Sequence, residues 1–338
     1  MPLTLKDLAK ELKVTEATVS LALRNHPRIS PETRQQVQAL AAKLGYIVNP
    51  AFSRRGSTRM GKRGRPIMPL ALILQRNPSY SHGSEAYQIE IKRIAANFGY
   101  VVTLHLLKKD ECARRLGDIL KNRGVEAVLC GPIYYKSILD DFPWGDFCIG
   151  ACEAGLYAPP CHLVMPDVGQ AILAARQLCV ARGYHRIGFA QIIEPTPPVD
   201  YLDRYGAASL AATTCPDAVS FTSGDFSARD RTQFLGWVKA GAFDIVIGQT
   251  ATFYWWLREG GYNIPQDIGF IGLRMDADRT ERELSGFEED HLLTASLACQ
   301  LVDMEVRQFR RGPPKAPARM LVKMPWYEGR TLRPQAVD

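Results

Sequence analysis

The apolar positions near the amino end of the chain recur at the spacing of helix faces. Between residues 5 and 12 they stand at i, i+3, i+4 and i+7, which predicts a first amphipathic helix. Lys13 and Val14 predict a tight turn, and Thr15 is placed to cap a second helix. The inward positions of this second helix are Val19, Ala22 and Leu23. Its outward positions, which form a candidate binding face, are Glu16, Ala17, Ser20, Leu21 and Arg24.

A third helix has both of its ends marked in the sequence. Ser30 followed by Pro31 combines a capping residue with a proline at the first helical position, and Gly45 marks the stop. Two short helices joined by a tight turn, with a third closing the core, are the helix-turn-helix arrangement, whose second helix enters the DNA major groove. On spacing alone, a small helical bundle without DNA affinity stays an alternative.

Charge separates these two interpretations. Residues 1–65 hold 13 Lys and Arg against 4 Asp and Glu, a net charge of +9, whereas the whole chain carries +7 and the remainder therefore −2. A basic excess confined to one end is typical of phosphate binding, because a merely soluble surface would spread its charge. The charge pattern favours a DNA-binding head.

The same segment resembles the DNA-binding domain of the LacI/GalR family of bacterial repressors. The family elements T-x-K-D-x-A, V-T-x-x-T-V-S, S-x-x-T-R-x-x-V and L-G-Y-x-x-N stand at residues 4–9, 14–20, 30–37 and 44–49. The resemblance implies that small polar side chains contact phosphates: Thr4, Thr15, Thr18, Ser20, Asn25, Ser30 and Thr33. It implies that the base-facing residues are Glu16, Ala17 and Leu21. Arg24, on the outward face, and Asn49, which ends the family pattern, complete the expected DNA contacts.

Leu21 departs from the family, whose members often carry an arginine suited to guanine O6 and N7 at this position. A leucine packs instead on a thymine methyl, and Glu16 can accept a hydrogen bond from a cytosine N4 amine. We therefore expect an operator that differs from the usual family sequence.

The linker, residues 50–69, departs further. In the family it forms a hinge helix that inserts a leucine between base steps, but Arg55 stands at that position here and Gly56 follows it. The linker has no acidic residue, and its candidate DNA contacts are Arg54, Arg55, Arg63 and Arg65. Residues 63–66, Arg-Gly-Arg-Pro, resemble the core of an AT-hook, whose arginines enter a narrow A·T-rich minor groove. Two hypotheses stay open: such a minor-groove arm, or a flexible basic linker held near phosphate.

Beyond residue 69 apolar runs alternate with amphipathic helices, which is typical of a parallel α/β fold. The predicted strands are 69–74, 100–106, 125–130, 146–149, 186–191, 244–248 and 267–273. The predicted helices lie near 85–98, 111–123, 169–182, 228–240, 252–260 and 291–310. About 270 residues exceed what one core usually covers, so two lobes are expected. The predicted domains are a head at 1–49, a basic linker at 50–69 and a bilobed domain at 70–338.

This larger region resembles, more loosely, the bilobed effector domain of the same family, which is shaped like a periplasmic sugar-binding protein. The local matches are Asp167 to Gly188, Gly260 to Gly272 and Trp326 to Leu332. The predicted fold class is therefore an all-α helix-turn-helix head plus a periplasmic-binding-protein-like α/β domain of two doubly wound parallel-sheet lobes. No transmembrane run or signal peptide is recognised, so a cytoplasmic protein is expected.

Ligands in such folds bind at the carboxyl ends of strands between the lobes. The polar effector candidates at these ends are Gln75, Asn77, Asp167, Arg204, Gln249 and Arg274. The resemblance implies that Arg204 is the family arginine that clamps an effector. Two carboxylate positions expected from the family are lost, since Gln249-Thr250 and Arg274-Met275 stand there.

The ligand class stays open at this point. Two cationic candidates, Arg204 and Arg274, favour an anionic or phosphorylated effector, while a carbohydrate remains the alternative. A third interpretation pairs Arg274 with Asp276 or Asp278 and leaves the pocket without a tight ligand.

Catalytic and metal-binding patterns are not found. The eight cysteines show no C-x-x-C spacing, and we expect them to be reduced. No Gly-rich phosphate loop, G-x-S-x-G elbow or H-E-x-x-H helix occurs, so neither an enzyme, a metal site nor a cofactor is expected.

The sequence thus predicts a homodimeric, sequence-specific DNA-binding repressor that reads a pseudo-palindromic operator and responds to a small-molecule effector. One alternative is a ligand-independent architectural DNA-binding protein whose carboxyl-terminal domain only dimerises. Another is an enzyme or sugar carrier that has acquired a helical head.

Overall fold

The chain divides into two structural units, Met1–Ile67 and Met68–Asp338. The computed structural model describes these residues within them: 5–23, 29–43, 68–75, 85–108, 111–134, 136, 140–153, 155, 157–193, 199–276 and 283–334.

The described part of the first unit consists of three helices, and we call it the head. The helices are α1 (Leu5–Glu11), α2 (Glu16–Leu23) and α3 (Pro31–Lys43). Lys13 has a φ of +52°, and the N–H of Val14 donates to the Ala9 carbonyl at 3.0 Å, which closes the turn between the first two helices. The buried core residues come from all three helices: Leu8, Ala9, Val19, Ala22, Val37 and Ala41. The predicted helices and turn are confirmed, while the predicted stop at Gly45 lies outside the described residues.

The second unit contains a first sheet of six parallel strands. In sheet order the strands are β11 (Arg319–Val322), β5 (His162–Pro166), β4 (Cys148–Cys152), β3 (Ala127–Cys130), β1 (Met68–Gln75) and β2 (Tyr100–Leu107). Three helices connect or cover these strands: α4 (Glu85–Asn97), α5 (Ala113–Asn122) and α10 (His291–Arg307). We call this sheet and its helices the first lobe.

A second six-stranded sheet defines the second lobe. In sheet order its strands are β12 (Trp326–Tyr327), β10 (Gly286–Glu289), β9 (Gly269–Asp276), β8 (Ile245–Gly248), β6 (Arg186–Ile192) and β7 (Ser220–Phe226). Only the pairing of β12 with β10 is antiparallel. The helices are α6 (Val168–Ala181), α7 (Tyr201–Thr213), α8 (Arg231–Gly241) and α9 (Thr252–Glu259).

Each sheet is buried on both faces, which explains the continuous apolar runs in its central strands. In β1 every residue from Leu70 to Gln75 is buried. Helix α10 packs on the first sheet through Ala295, Ala298 and Val302, whose side chains are fully buried. The predicted pair of doubly wound lobes is confirmed.

The chain passes between the lobes three times, and these crossings place strand ends beside one another. Crossings lie between β5 and α6, between β10 and α10, and between β11 and β12. At the first, the N–H of Asp167 donates to the Val322 carbonyl at 2.8 Å. In each sheet the strand order also reverses once. The reversal lies between β1 and β3 in the first sheet and between β6 and β8 in the second. Such reversals open a crevice at the carboxyl ends of the strands.

Several elements were not predicted from the sequence. The missed strands are β5, β7, β10, β11 and β12, and the missed helix is α7. Strands β7 and β11 lie at or beside exposed sheet edges, so their residues lack the apolar run that marks a central strand. Helix α7 contains Gly206 and has a weak apolar stripe, because its buried face consists of Arg204 and alanines.

Candidate DNA interface and ligand cleft

The outward face of α2 is the candidate surface for reading bases. Glu16 and Ala17 are exposed, and Thr18 and Leu21 are partly buried. Val19 and Ala22 point inward with no exposed surface. The sequence placed Leu21 fully outside, whereas only part of its side chain faces outward.

Two helices of the head begin with hydroxyl caps. Thr15 Oγ1 accepts from the Thr18 N–H at 3.1 Å before α2, and Ser30 Oγ accepts from the Thr33 N–H at 3.2 Å before α3. The hydroxyls within each pair lie 2.9 and 3.0 Å apart. The predicted phosphate-contacting hydroxyls thus sit where free backbone N–H groups and the helix dipole favour an anion.

Many predicted DNA contacts fall outside the described residues and stay predictions. They are Thr4, Arg24, Asn25, Asn49, Arg54, Arg55, Arg63 and Arg65, together with the side chain of Ser20. Both hypotheses for the linker, including the AT-hook-like arm, fall on this part of the chain.

In the second unit, strand ends bring the predicted effector candidates to the crevices of the two lobes. Gln75 ends β1 and Gln249 follows β8, at the two points where strand order reverses. Their amide oxygens hold the neighbouring backbone: Gln75 Oε1 accepts from the Tyr134 N–H at 2.6 Å, and Gln249 Oε1 accepts from the Ile192 N–H at 2.8 Å. Asn77 lies outside the described residues.

Asp167 stands at a crossing between the lobes and caps α6. Its Oδ1 accepts from the Gln170 N–H at 3.0 Å. The residue is partly buried. Because Oδ1 accepts this hydrogen bond, it already has a partner at the start of the helix.

Arg204, on α7, is fully buried, with 1% of its surface exposed. Its Nη1 donates to Gln191 Oε1 at 3.0 Å, and its Nε lies 3.4 Å from Asp200 Oδ2. Sequence reasoning missed both partners. Asp200 and Arg204 are spaced i, i+4, but this signal is visible only once residues 201–213 are recognised as a helix.

Arg274, near the end of β9, is held by carboxylates from two other elements. Its Nε pairs with Glu289 Oε1 at the end of β10, and its Nη1 lies 4.0 Å from Asp200 Oδ2. The hypothesised pairing with Asp276 or Asp278 falls on side chains outside the described set.

His291 connects the lobes at the start of α10. Its Nδ1 lies 2.9 Å from Oε1 of Glu153, which follows β4 in the first lobe, and its Nε2 lies 3.6 Å from Oε2 of Glu289 in the second lobe. Glu153 and Glu289 are both buried. The imidazole is therefore placed between two carboxylates, one from each lobe.

These contacts change the electrostatic picture of the cleft. Its described charged side chains include two guanidiniums, of Arg204 and Arg274, and three buried carboxylates, of Asp200, Glu289 and Glu153. With His291 neutral, this group carries no positive excess. The sequence showed the arginines but not the carboxylates that surround them.

Within the described ranges, no cluster of three or more His, Cys, Asp or Glu side chains is arranged to hold a metal ion. No helix of the described chain is both long and apolar enough to cross a membrane.

Comparisons with known proteins find a family match in the head and more distant relatives over most of the chain. The model of "Bacterial regulatory proteins, lacI family" matches residues 4–49. The sucrose operon repressor of Escherichia coli is 25% identical over 294 residues, covering 80% of this chain and 83% of that protein. The HTH-type transcriptional repressor CytR of Escherichia coli (strain K12) is 32% identical over 101 residues, covering 30% and 27%.

Solved structures share the fold of nearly the whole chain. The Lac repressor dimer bound to operator and the anti-inducer ONPF aligns with a TM-score of 0.55 at 17% identity, covering 98% of this chain and 99% of that one. The complex of the transcriptional regulator CelR with cellobiose aligns with a TM-score of 0.57 at 20% identity, covering 97% and 99%.

A helix-turn-helix head followed by a domain of two parallel-sheet lobes, with repressors among its relatives, defines a DNA-binding transcription regulator. The resemblance to the LacI family rests on the match of residues 4–49 and on repressors among the relatives. This resemblance and the fold class, both predicted from the sequence, are confirmed.

Proposed function

We propose that the chain is a repressor whose operator affinity is set by a neutral carbohydrate bound between the two lobes. The carrying observation is the balance of charge in the cleft, where Arg204 and Arg274 are already matched by buried carboxylates. An anionic ligand would have to displace these pairs or lie beside the carboxylates, which is costly in a buried site. A hydroxylated ligand can donate to carboxylates and accept from guanidiniums without adding charge.

The relatives support the same class of ligand. The similar proteins include a sucrose operon repressor and a regulator solved with cellobiose. The ligand acts by binding one arrangement of the lobes better than another, because only such a difference can shift the equilibrium between them. The residues we propose to line the site are Gln75, Asn77, Asp167, Arg204, Gln249 and Arg274.

The DNA-binding side of the proposal uses the head and the linker. We propose that the outward face of α2 reads bases, that the hydroxyls before α2 and α3 contact phosphates, and that the basic residues at 50–69 add contacts to the backbone or minor groove. A cytoplasmic homodimer with the head at 1–49 and the effector domain at 70–338 would read two half-sites of a pseudo-palindrome.

Thermal shift on the full chain, with and without each of sucrose, cellobiose, ribose and glucose, tests the proposal. An effector that binds only the folded chain raises the free energy of unfolding by about 2.7 kcal/mol at a hundredfold excess over Kd. The melting temperature rises as a result. We expect at least one saccharide to raise the melting temperature and to change the affinity for a selected operator duplex in a gel-shift titration.

If no saccharide raises the melting temperature, and operator affinity is the same with and without each one, the carboxyl-terminal unit serves as an assembly domain and the architectural alternative holds.

A further inference from the structure

Four aspartates of the second unit occupy the same position, directly before a helix. They are Asp167 before α6, Asp200 before α7, Asp230 before α8 and Asp290 before α10. Three of them accept a hydrogen bond from a backbone N–H three residues on, at 3.0, 2.9 and 2.8 Å. This is the ordinary role of an aspartate at a helix start. Asp200 does not make the corresponding hydrogen bond.

The Asp200 carboxylate is nevertheless buried, with 2% of the residue exposed. Neither of its oxygens accepts a hydrogen bond from any described residue. Its nearest cations are Arg204 Nε at 3.4 Å and Arg274 Nη1 at 4.0 Å, which give charge compensation without hydrogen-bond geometry. A buried carboxylate in this state keeps unused acceptor capacity, which is costly unless a ligand or solvent satisfies it.

Asp200 also lies at the junction of the two lobes. The N–H of Val199, the preceding residue, donates at 2.9 Å to the carbonyl of Gly155, which follows β4 of the first lobe. The carboxylate is thus held beside the crevice rather than on the outer surface of the second lobe.

A buried donor accompanies this buried acceptor. Gln191 is fully buried near the carboxyl end of β6, beside the reversal of strand order. Its Oε1 accepts from Arg204, while its Nε2 makes no hydrogen bond with the described residues. Asp200 and Gln191 both contact the guanidinium of Arg204, so the two side chains lie close together.

We propose that Asp200 and Gln191 recognise the hydroxyl groups of the effector. Ligand hydroxyls donate to the Asp200 carboxylate, and Gln191 Nε2 donates to a ligand oxygen. The inference rests on the proposed carbohydrate function and adds the residues that select a neutral, hydroxylated ligand over a phosphorylated one.

Isothermal titration of the full chain tests this, using whichever of sucrose, cellobiose, ribose and glucose raises its melting temperature. Asp200→Asn keeps the shape but removes the charge, and we expect roughly 10- to 100-fold weaker saccharide binding, as for loss of hydrogen bonds to a charged group. Gln191→Glu keeps the acceptor for Arg204 and removes the donor, and we expect roughly tenfold weaker binding. Glucose 6-phosphate should bind the unmodified chain more weakly than glucose.

Asp230→Asn is the matched control, because Asp230 caps α8 and is exposed, whereas Asp200 is buried beside Arg204. It should leave saccharide affinity unchanged. Unchanged saccharide affinity in both Asp200→Asn and Gln191→Glu overturns the inference while leaving the carbohydrate function standing. Tighter binding of glucose 6-phosphate than of glucose also overturns it. An unmodified chain that binds none of the saccharides overturns both the inference and the proposed function.

Discussion

Thr15 and Ser30 each have one role that the structure describes and a second role that we propose. Each hydroxyl accepts a backbone hydrogen bond at a helix start, and each residue is exposed, as the proposed phosphate contact requires. The sequence predicts the cap from residue type and position, and the family resemblance adds the phosphate contact. The structure describes the first role only, so the two must be separated by substitution.

Ser30→Ala and Ser30→Asp separate these roles. Alanine removes the cap and should lower the stability of the head by about 1 kcal/mol, whereas aspartate caps as well as serine and should preserve it. Both should weaken operator binding, aspartate more strongly because its charge repels phosphate. Helix melting followed by circular dichroism and gel-shift titration measure the two effects. Normal operator affinity in Ser30→Asp would remove this residue from the DNA interface.

The cysteines provide a second prediction at this scale. Cys112 is exposed and Cys215 is partly buried, while the other six are buried. Burial raises the pKa of the Cys130 thiol from 9.0 to about 12, and burial with the nearby Asp303 carboxylate does the same for Cys299. The thiolate is the reactive form, so a thiol reagent at pH 8 should modify Cys112 rapidly and the buried thiols only after unfolding. Rapid modification of two or more buried thiols would contradict the described packing.

The raised pKa values of the Cys130 and Cys299 thiols predict that the free energy of unfolding falls at alkaline pH. The folded chain holds these thiols protonated, while the unfolded chain releases their protons above about pH 9. Their contribution is therefore fully present below pH 9 and is lost as the pH rises toward about 12. Urea unfolding at pH 8 and pH 10 should show a lower free energy of unfolding at pH 10, and Cys130→Ser and Cys299→Ser should each reduce that difference.

At the scale of elements, predictability follows the apolar pattern. Central strands such as β1 and helices such as α10 were predicted within a few residues, because burial on one or both faces leaves a clear run or stripe. Helix α7 was missed because its buried face holds an arginine and alanines. The cleft was therefore predicted only in part: Arg204 came from a resemblance, while Asp200 and Gln191 depend on an unrecognised helix and on tertiary contact.

Helix α10 packs closely on β4, so we expect an added methyl group in this contact to destabilise the fold. A Cβ at Gly150 would lie 2.7 Å from Val302 Cγ2, a branched side chain with little freedom on its helix. Gly150→Ala should therefore lower the free energy of unfolding by about 1–3 kcal/mol. Gly236, inside α8, has nothing within 4 Å of its position, so Gly236→Ala should raise that free energy by about 0.5–1 kcal/mol. Equal effects of the two substitutions in chemical denaturation would contradict this packing.

At the scale of the whole molecule, the first lobe exposes apolar side chains on α4 and on the edge strand β2. Ile89 on α4 is 54% exposed, and Val101 and Leu106 on the edge strand β2 are 54% and 45% exposed. An edge strand with apolar neighbours invites pairing unless it is covered. The homodimer proposed above would cover this face.

Val101→Asp tests the assembly. Light scattering after gel filtration should show a monomer, and operator affinity should fall because one head reads only a half-site. Leu210→Asp, at a residue 49% exposed on α7, is the control and should leave the mass unchanged. A Val101→Asp chain with the same mass and operator affinity as the unmodified chain would place the interface elsewhere.

Selection of binding sites from random DNA duplexes by the full chain, at physiological salt, tests most directly whether this chain is a sequence-specific regulator. We predict enrichment of one pseudo-palindromic site, and a changed base preference within each half-site for Leu21→Arg, since arginine favours guanine where leucine contacts a thymine methyl. Absence of any enriched site, with affinity that disappears at moderate salt, would contradict the account and leave non-specific phosphate attraction as the whole interaction.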